Sequence, residues 1–123
     1  MTNEKGFWLY DLKVEVSLEN RNPICRHIEG EYFSVEGENL IFSSDQKVSM
    51  YALAAILPLL PAKQRVTNDH DWMFTDAEVA CPDPHCGGRF RISRKAKRWF
   101  SHDETTGLPQ DRGIPYWSKE LKV

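Results

Sequence analysis

Cys81-Pro82-Asp83-Pro84-His85-Cys86 places two of the chain's three cysteines and one of its four histidines in one short turn, and Gly87-Gly88 follows. A soft metal ion such as zinc binds deprotonated thiolates and imidazoles held close together. Pro82 and Pro84 stiffen the turn by fixing two backbone angles. The Cys-x4-Cys spacing lies in the range of paired zinc ligands. Cys25-Arg26-His27, after Pro23, offers a second pair. Cys25, His27, Cys81 and Cys86 would form one S3N set, with His85 as the substitute nitrogen. A site filled by four protein ligands is structural, and catalysis needs an open position. The plain alternative has Cys25 filling core space, Cys81 ending a strand and facing inward, and Cys86 alone exposed.

The same turn admits a second chemistry. Cys86 precedes two glycines whose amides suit an anion nest. A reactive Cys86 would need a depressed pKa and a base that meets it in space, with His27, His70 or His102 as candidates. A Cys81–Cys86 disulfide switch fits the spacing in geometry, although redox pairs favour Cys-x-x-Cys. Asp69-His70-Asp71 has the residue types to orient a base or hold a metal, and reads equally as solvated loop. Glu29, Glu31, Glu36 and Glu38 read as polar strand faces and turn ends rather than an acid/base pair. No P-loop, dinucleotide fingerprint, nucleophile elbow or His-Glu-x-x-His occurs.

The elements that must position these residues follow from periodicity. Tyr10 to Leu18 alternates apolar and charged, as a half-buried strand does. Residues 31–36 and 40–42 read as a hairpin around Gly37-Glu38-Asn39, a turn longer than the tightest type. Ser44-Asp45-Gln46-Lys47 supplies N-cap candidates for a helix from about 47 to 60. Met50, Leu53, Ala54, Leu57 and Leu60 form one apolar stripe of that helix, and Ala52, Ala55, Ile56 and Leu59 make its other faces apolar. Such a helix is buried on several sides, one of them by a partner in a domain this small. Pro58 should kink or loosen its last turn and Pro61 should help to stop it. Residues 62–75 read as a loop anchored by Trp72, Met73 and Phe74. Residues 78–81 and 89–93 read as strands carrying the cysteine turn at their tip.

From Arg94 the character changes. Arg94, Lys95, Lys97 and Arg98 form a basic cluster ahead of Trp99-Phe100. Charge plus stacking can grip nucleic acid, but a solvated face or a salt-bridged contact with a partner subunit accounts for the cluster better. The tail to Val123 is poor in aliphatic residues, and its Tyr116-Trp117 suits an arm laid across another surface.

The formal net charge of −2 exerts no global pull on nucleic acid or anionic lipid, so neither is expected as a partner. The longest apolar run, Tyr51 to Leu60, is short of the roughly 20 residues that span a bilayer. An odd cysteine count argues against a secreted disulfide scaffold. The first residues carry no signal-peptide pattern, and a cytoplasmic location is expected.

Five segments carry a resemblance. Phe33 to Gly37, Tyr51 to Pro58, Asp71-Trp72-Met73, Val79 to Pro84 and Phe90-Arg91-Ile92 occur in the order found in a family of small bacterial domains with a Cys-Pro-Asp-Pro turn. The likeness covers residues 10–94, and the long tail departs from the shorter members. Among multi-subunit enzymes the chain resembles the small gamma subunit of acetophenone carboxylases. That resemblance implies a non-catalytic subunit of an ATP-dependent complex that carboxylates acetophenone with bicarbonate to benzoylacetate, in anaerobic aromatic degradation. ATP would bind only on the larger partner subunits. The related acetone carboxylases have a cysteine-rich small subunit, which favours zinc here by analogy. No catalytic residue is carried over.

The expected fold is α+β: a small, mainly antiparallel, partly barrel-like sheet, one buried helix and an extended C-terminal arm. Residues 1–98 form the domain and 99–123 the arm. Two further readings stay open: a free-standing zinc-binding or thiol-redox domain, and a small enzyme dependent on Cys86.

Overall fold

The computed structural model describes residues 5–19, 21–24, 26–75 and 77–107. Cys25 and the tail from 108 to 123, with Tyr116-Trp117, lie outside them. The expected α+β fold is present, with the sheet open rather than closed.

Among the described residues five antiparallel strands make the sheet: β1 (Gly6–Val16), β2 (Tyr32–Glu36), β3 (Asn39–Ile41), β4 (Glu78–Ala80) and β5 (Arg89–Ser101), in the order β3-β2-β1-β5-β4. The alternation in β1 selects its buried face: Leu12, Val14 and Val16 point into the core. Their neighbours across the ladder do the same. Leu12 stands beside Val35, Val14 between Phe33 and Ile92, and Val16 beside Phe90. All seven are buried. Each side chain of this size removed from water contributes about 1.5–3 kcal/mol.

β1 begins earlier than its alternation suggests, and β5 runs eight residues past the expected end, through the basic cluster. The expected domain boundary at 98/99 therefore falls inside a strand. One residue of β1, Asp11, stands opposite two of β5, because Tyr10 pairs with Lys97 and Leu12 with Arg94. This bulge turns the outer half of the β1–β5 ribbon. Phe7 stacks on Phe100 with ring centroids 5.6 Å apart, and Trp8 meets Trp99 edge-on at 5.3 Å. Gly6 is needed at the ribbon's end, since a Cβ there would collide with the Phe100 carbonyl oxygen.

Three of the cluster's four cations are engaged within the chain. Arg98 binds Asp11 at 2.9 Å and Glu36 at 3.2 Å. The hydrogen bond to Asp11, then the two carboxylate charges, hold its guanidinium pKa above the ordinary value. Lys97 lies over the Trp8 and Tyr10 rings. Arg94 lies over Tyr10 and is bound by three oxygens, of Lys63, Arg65 and Thr67.

The helical segment has three pieces: α1 (Met50–Ile56), a 3-10 turn (Leu57–Leu59) and α2 (Leu60–Gln64). Its N-cap is Ser49, not the earlier Ser44-Asp45. Ser49 Oγ accepts the Tyr51 and Ala52 amides. Pro58 lies in the 3-10 turn, where its missing N–H interrupts the α-helical ladder in the middle of the segment rather than at its last turn. Pro61, read as a stop, instead sits in the first turn of α2, where a missing N–H costs nothing. Ala52, Ile56 and Leu60 are the buried stripe. Met50, Ala54 and Leu57 of the expected stripe are exposed, with Leu53 partly packed.

The β2–β3 turn is shorter than expected. Glu36 pairs with Asn39, leaving two residues, and Gly37 takes φ +60°. Gln64, at the end of α2, donates to the Gly37 carbonyl at 2.7 Å. The expected loop 62–75 holds the end of α2 and a short α3 (Trp72–Thr75), and Trp72 and Phe74 are exposed rather than anchoring. Buried Lys63 reaches the Met73 carbonyl with its ammonium group. The expected arm starts as the last residues of β5 and continues as α4 (His102–Thr106).

Candidate functional site

β4 and β5 form the hairpin expected to carry the cysteine turn, with Ala80 opposite Arg89. The Cys81 amide donates to the Gly88 carbonyl at 3.0 Å and extends the ladder by one bond. The Cys86 amide donates to the Asp83 carbonyl at 3.0 Å, and the His85 amide to Asp83 Oδ1 at 2.9 Å. Asp83 therefore organises the turn from both its backbone and its side chain. The result places Cys81 and Cys86 on one closed turn at the hairpin tip.

The exposures reverse one expectation. Cys86 is buried, at 6% exposure, and Cys81 is the partly exposed member. Both border a cavity of about 530 Å³ with Ile24, Ser49, Tyr51, Pro82 and Asp83. Burial, chiefly, pushes the Cys81 thiol above its ordinary pKa. The Asp83 backbone hydrogen bond opposes this, and the Cys86 thiol and the Asp83 charge reinforce it.

A raised pKa leaves little thiolate at neutral pH, and the thiolate is the nucleophile. Alkylation of Cys81 by iodoacetamide should therefore be slow at neutral pH and accelerate about tenfold per pH unit while the thiol remains mostly protonated. A fast rate independent of pH near neutrality would show a thiol already ionised and overturn this assignment. Cys86, which a thiol enzyme would need exposed and ionised, is screened by its burial.

Of the expected metal set, Cys81 and Cys86 come together. His85 is on the same turn and exposed. His27 is buried and committed elsewhere. Its Nε2 accepts the Ser49 amide at 3.2 Å, so Nδ1 carries the proton and faces Glu31 Oε1 at 3.5 Å. Its ring meets Phe90 edge-on at 5.1 Å. His27 thus joins the loop before β2 to the start of α1. Among the described residues no three Cys, His, Asp or Glu side chains gather as metal ligands. Two thiols alone do not complete a zinc shell.

The other sequence candidates are local structure. Asn68 Oδ1 accepts the His70 amide at 2.8 Å and lies 3.2 Å from its Nδ1. Asp71 Oδ1 accepts the Met73 amide at 2.7 Å and caps α3. Glu29 and Glu31 tie down the loop before β2 through the Leu18 and Ile28 amides.

Sequence reasoning missed Ser49 and Tyr51 as cavity neighbours of the cysteines. Nothing in their spacing links residue 49 to residue 81; α1 and β4 meet only in the tertiary fold.

Beside the cavity the outer face of the helix is apolar and uncovered. Met50 is 75% exposed and Tyr51 70%, with Ile24 at 65% on the same cavity rim. Among the described residues, no helix is long and apolar enough to cross a membrane. Comparison with protein-family models, curated proteins and solved structures finds no match.

Proposed function

We propose that this chain is a non-catalytic structural subunit that docks on the larger subunits of a cytoplasmic, ATP-dependent carboxylase of the acetophenone carboxylase kind. The observation that carries the docking role is the outer face of the helical segment, where Met50, Tyr51 and Leu57 stand exposed while Ala52, Ile56 and Leu60 hold the core. A large exposed aromatic with apolar neighbours is the usual centre of a protein interface. The carboxylase identity rests on the resemblance carried by residues 33–37, 51–58, 71–73, 79–84 and 90–92. ATP and the aromatic ketone would be handled by the partner chains.

Native mass spectrometry of the protein isolated from its own cells tests this reading. A hetero-oligomer with much larger chains that consume ATP with bicarbonate and acetophenone is expected. A chain recovered only by itself overturns it. Within the complex, Tyr51→Asp should weaken assembly by roughly thirtyfold or more, the loss typical of an interface hot spot. Its thermal unfolding midpoint should stay close to that of the parent, since Tyr51 is exposed in the isolated chain. Unchanged assembly would remove this face from the interface.

The placement of Cys81 and Cys86 on one turn beside one cavity favours a second reading, a free-standing zinc-binding or thiol-redox domain. Its zinc form would need Cys25, His85 or a rearranged His27 to join the two thiols. It predicts a monomer holding one zinc whose stability falls on chelation.

A further inference from the structure

The two cysteines sit on one turn at the tip of the β4–β5 hairpin and line the same cavity. The tip turns back on itself through the bonds of Cys81 to Gly88 and of Cys86 to Asp83, and Pro82 and Pro84 restrict the residues between. Both cysteines border that cavity, Cys81 partly exposed and Cys86 buried. This asymmetry separates the two steps of thiol–disulfide exchange. The more accessible sulfur meets the reagent first, and its buried neighbour on the same turn then resolves the mixed disulfide. The cavity beside them gives a small molecule access to the turn.

We propose that Cys81 and Cys86 are a reversible dithiol–disulfide couple whose oxidant is a low-molecular-weight disulfide of the glutathione class. In the first step the Cys81 thiolate attacks one sulfur of the oxidant. A protein–glutathione mixed disulfide forms, the oxidant's S–S bond breaks, and one glutathione thiolate leaves. In the second step the Cys86 thiolate attacks the Cys81 sulfur and expels the second glutathione thiolate. The two protons released by the cysteines end on the two departing thiolates. The oxidant is reduced to two glutathione molecules, and the protein loses two hydrogens. Excess reduced glutathione drives both steps backward.

The full chain is equilibrated in buffers of varied oxidised-to-reduced glutathione ratio, quenched in acid, alkylated and mapped by mass spectrometry. The expected result is a disulfide joining Cys81 to Cys86, whose fraction follows the buffer ratio reversibly, while Cys25 remains alkylated. Cys86→Ser should accumulate one glutathione on Cys81, severalfold above the parent, because the resolving thiol is gone. Cys86→Ala serves the same purpose if the serine variant loses its fold by circular dichroism, and the disulfide map of the parent decides without either. Three results overturn the proposal: a disulfide joining Cys25 to either residue, equal glutathione adducts on parent and variant, or no Cys81–Cys86 disulfide at any ratio. The last includes thiols that react only after a chelator is added, which would assign the pair to a metal.

Discussion

Ile56→Ala should remove about 2–5 kcal/mol from the unfolding free energy. Ile56 is fully buried and belongs to the cluster of Leu12, Val14, Phe33, Val35 and Ile92 that joins helix to sheet. Truncation removes three carbons and leaves a cavity that the surrounding strands fill only in part. Domains of this size have about 5–15 kcal/mol in total, so a substantial fraction of the protein's stability is at stake. Urea unfolding measures it, as a lower midpoint with an unchanged slope. Leu57→Ala is the control. Leu57 is 42% exposed and next in sequence. Its loss should cost less than about 1 kcal/mol. Equal costs at the two positions would place the helix in the wrong rotation.

Arg94→Ala should cost about 2–4 kcal/mol. The guanidinium donates to the Lys63 carbonyl at 2.8 Å, the Arg65 carbonyl at 2.9 Å and Thr67 Oγ1 at 3.1 Å, and its carbon lies 4.8 Å from the Tyr10 ring centre. The Lys63 carbonyl is in the last turn of α2 and the Arg65 carbonyl belongs to its C-cap residue, where carbonyls lack helical partners. A charged donor to each contributes about 1.5–3 kcal/mol, reduced where water reaches the acceptor once the side chain is gone. The ring contact adds about 0.5–1 kcal/mol. Arg94→Lys should recover less than half of the loss, because a point ammonium cannot span acceptors that a planar fork reaches together. Hydrogen exchange offers a local check: the amides at the end of α2 should open sooner in both variants. A lysine variant as stable as the parent would mean that charge alone, without the fork, holds this joint.

These two residues show where sequence reading succeeds and stops. The period-two alternation of Tyr10 to Leu18 places Leu12, Val14 and Val16 on one face without any knowledge of their partners, because pleated backbone leaves no other choice. The hairpin around Gly37 and the hairpin carrying the cysteine turn were legible from turn residues between apolar runs. The rotation of the helix was not. With apolar residues on every side of Tyr51 to Leu60, several stripes fit equally, and contact with the sheet selected Ala52, Ile56 and Leu60. The length of β5 was hidden for a related reason. Its outer half, Lys95 to Trp99, is exposed and reads as a charge cluster. It is held as strand by pairing with β1 and by Arg98 binding Asp11 and Glu36, contacts distant in sequence.

At the site, the sequence by itself determined that Cys81 and Cys86 share one stiff turn, because the four residues between them leave little room to part. It determined equally that the chain would fold as α+β, since alternating strands and one long apolar run must bury their faces together. Tertiary structure alone decided that Cys86 is the buried thiol and Cys81 the accessible one. It also set His27 Nε2 against the Ser49 amide and brought Ser49 and Tyr51 to the cysteine cavity. Burial, and the partner that each buried polar atom takes, depend on which distant segments pack together, and local spacing carries no record of that.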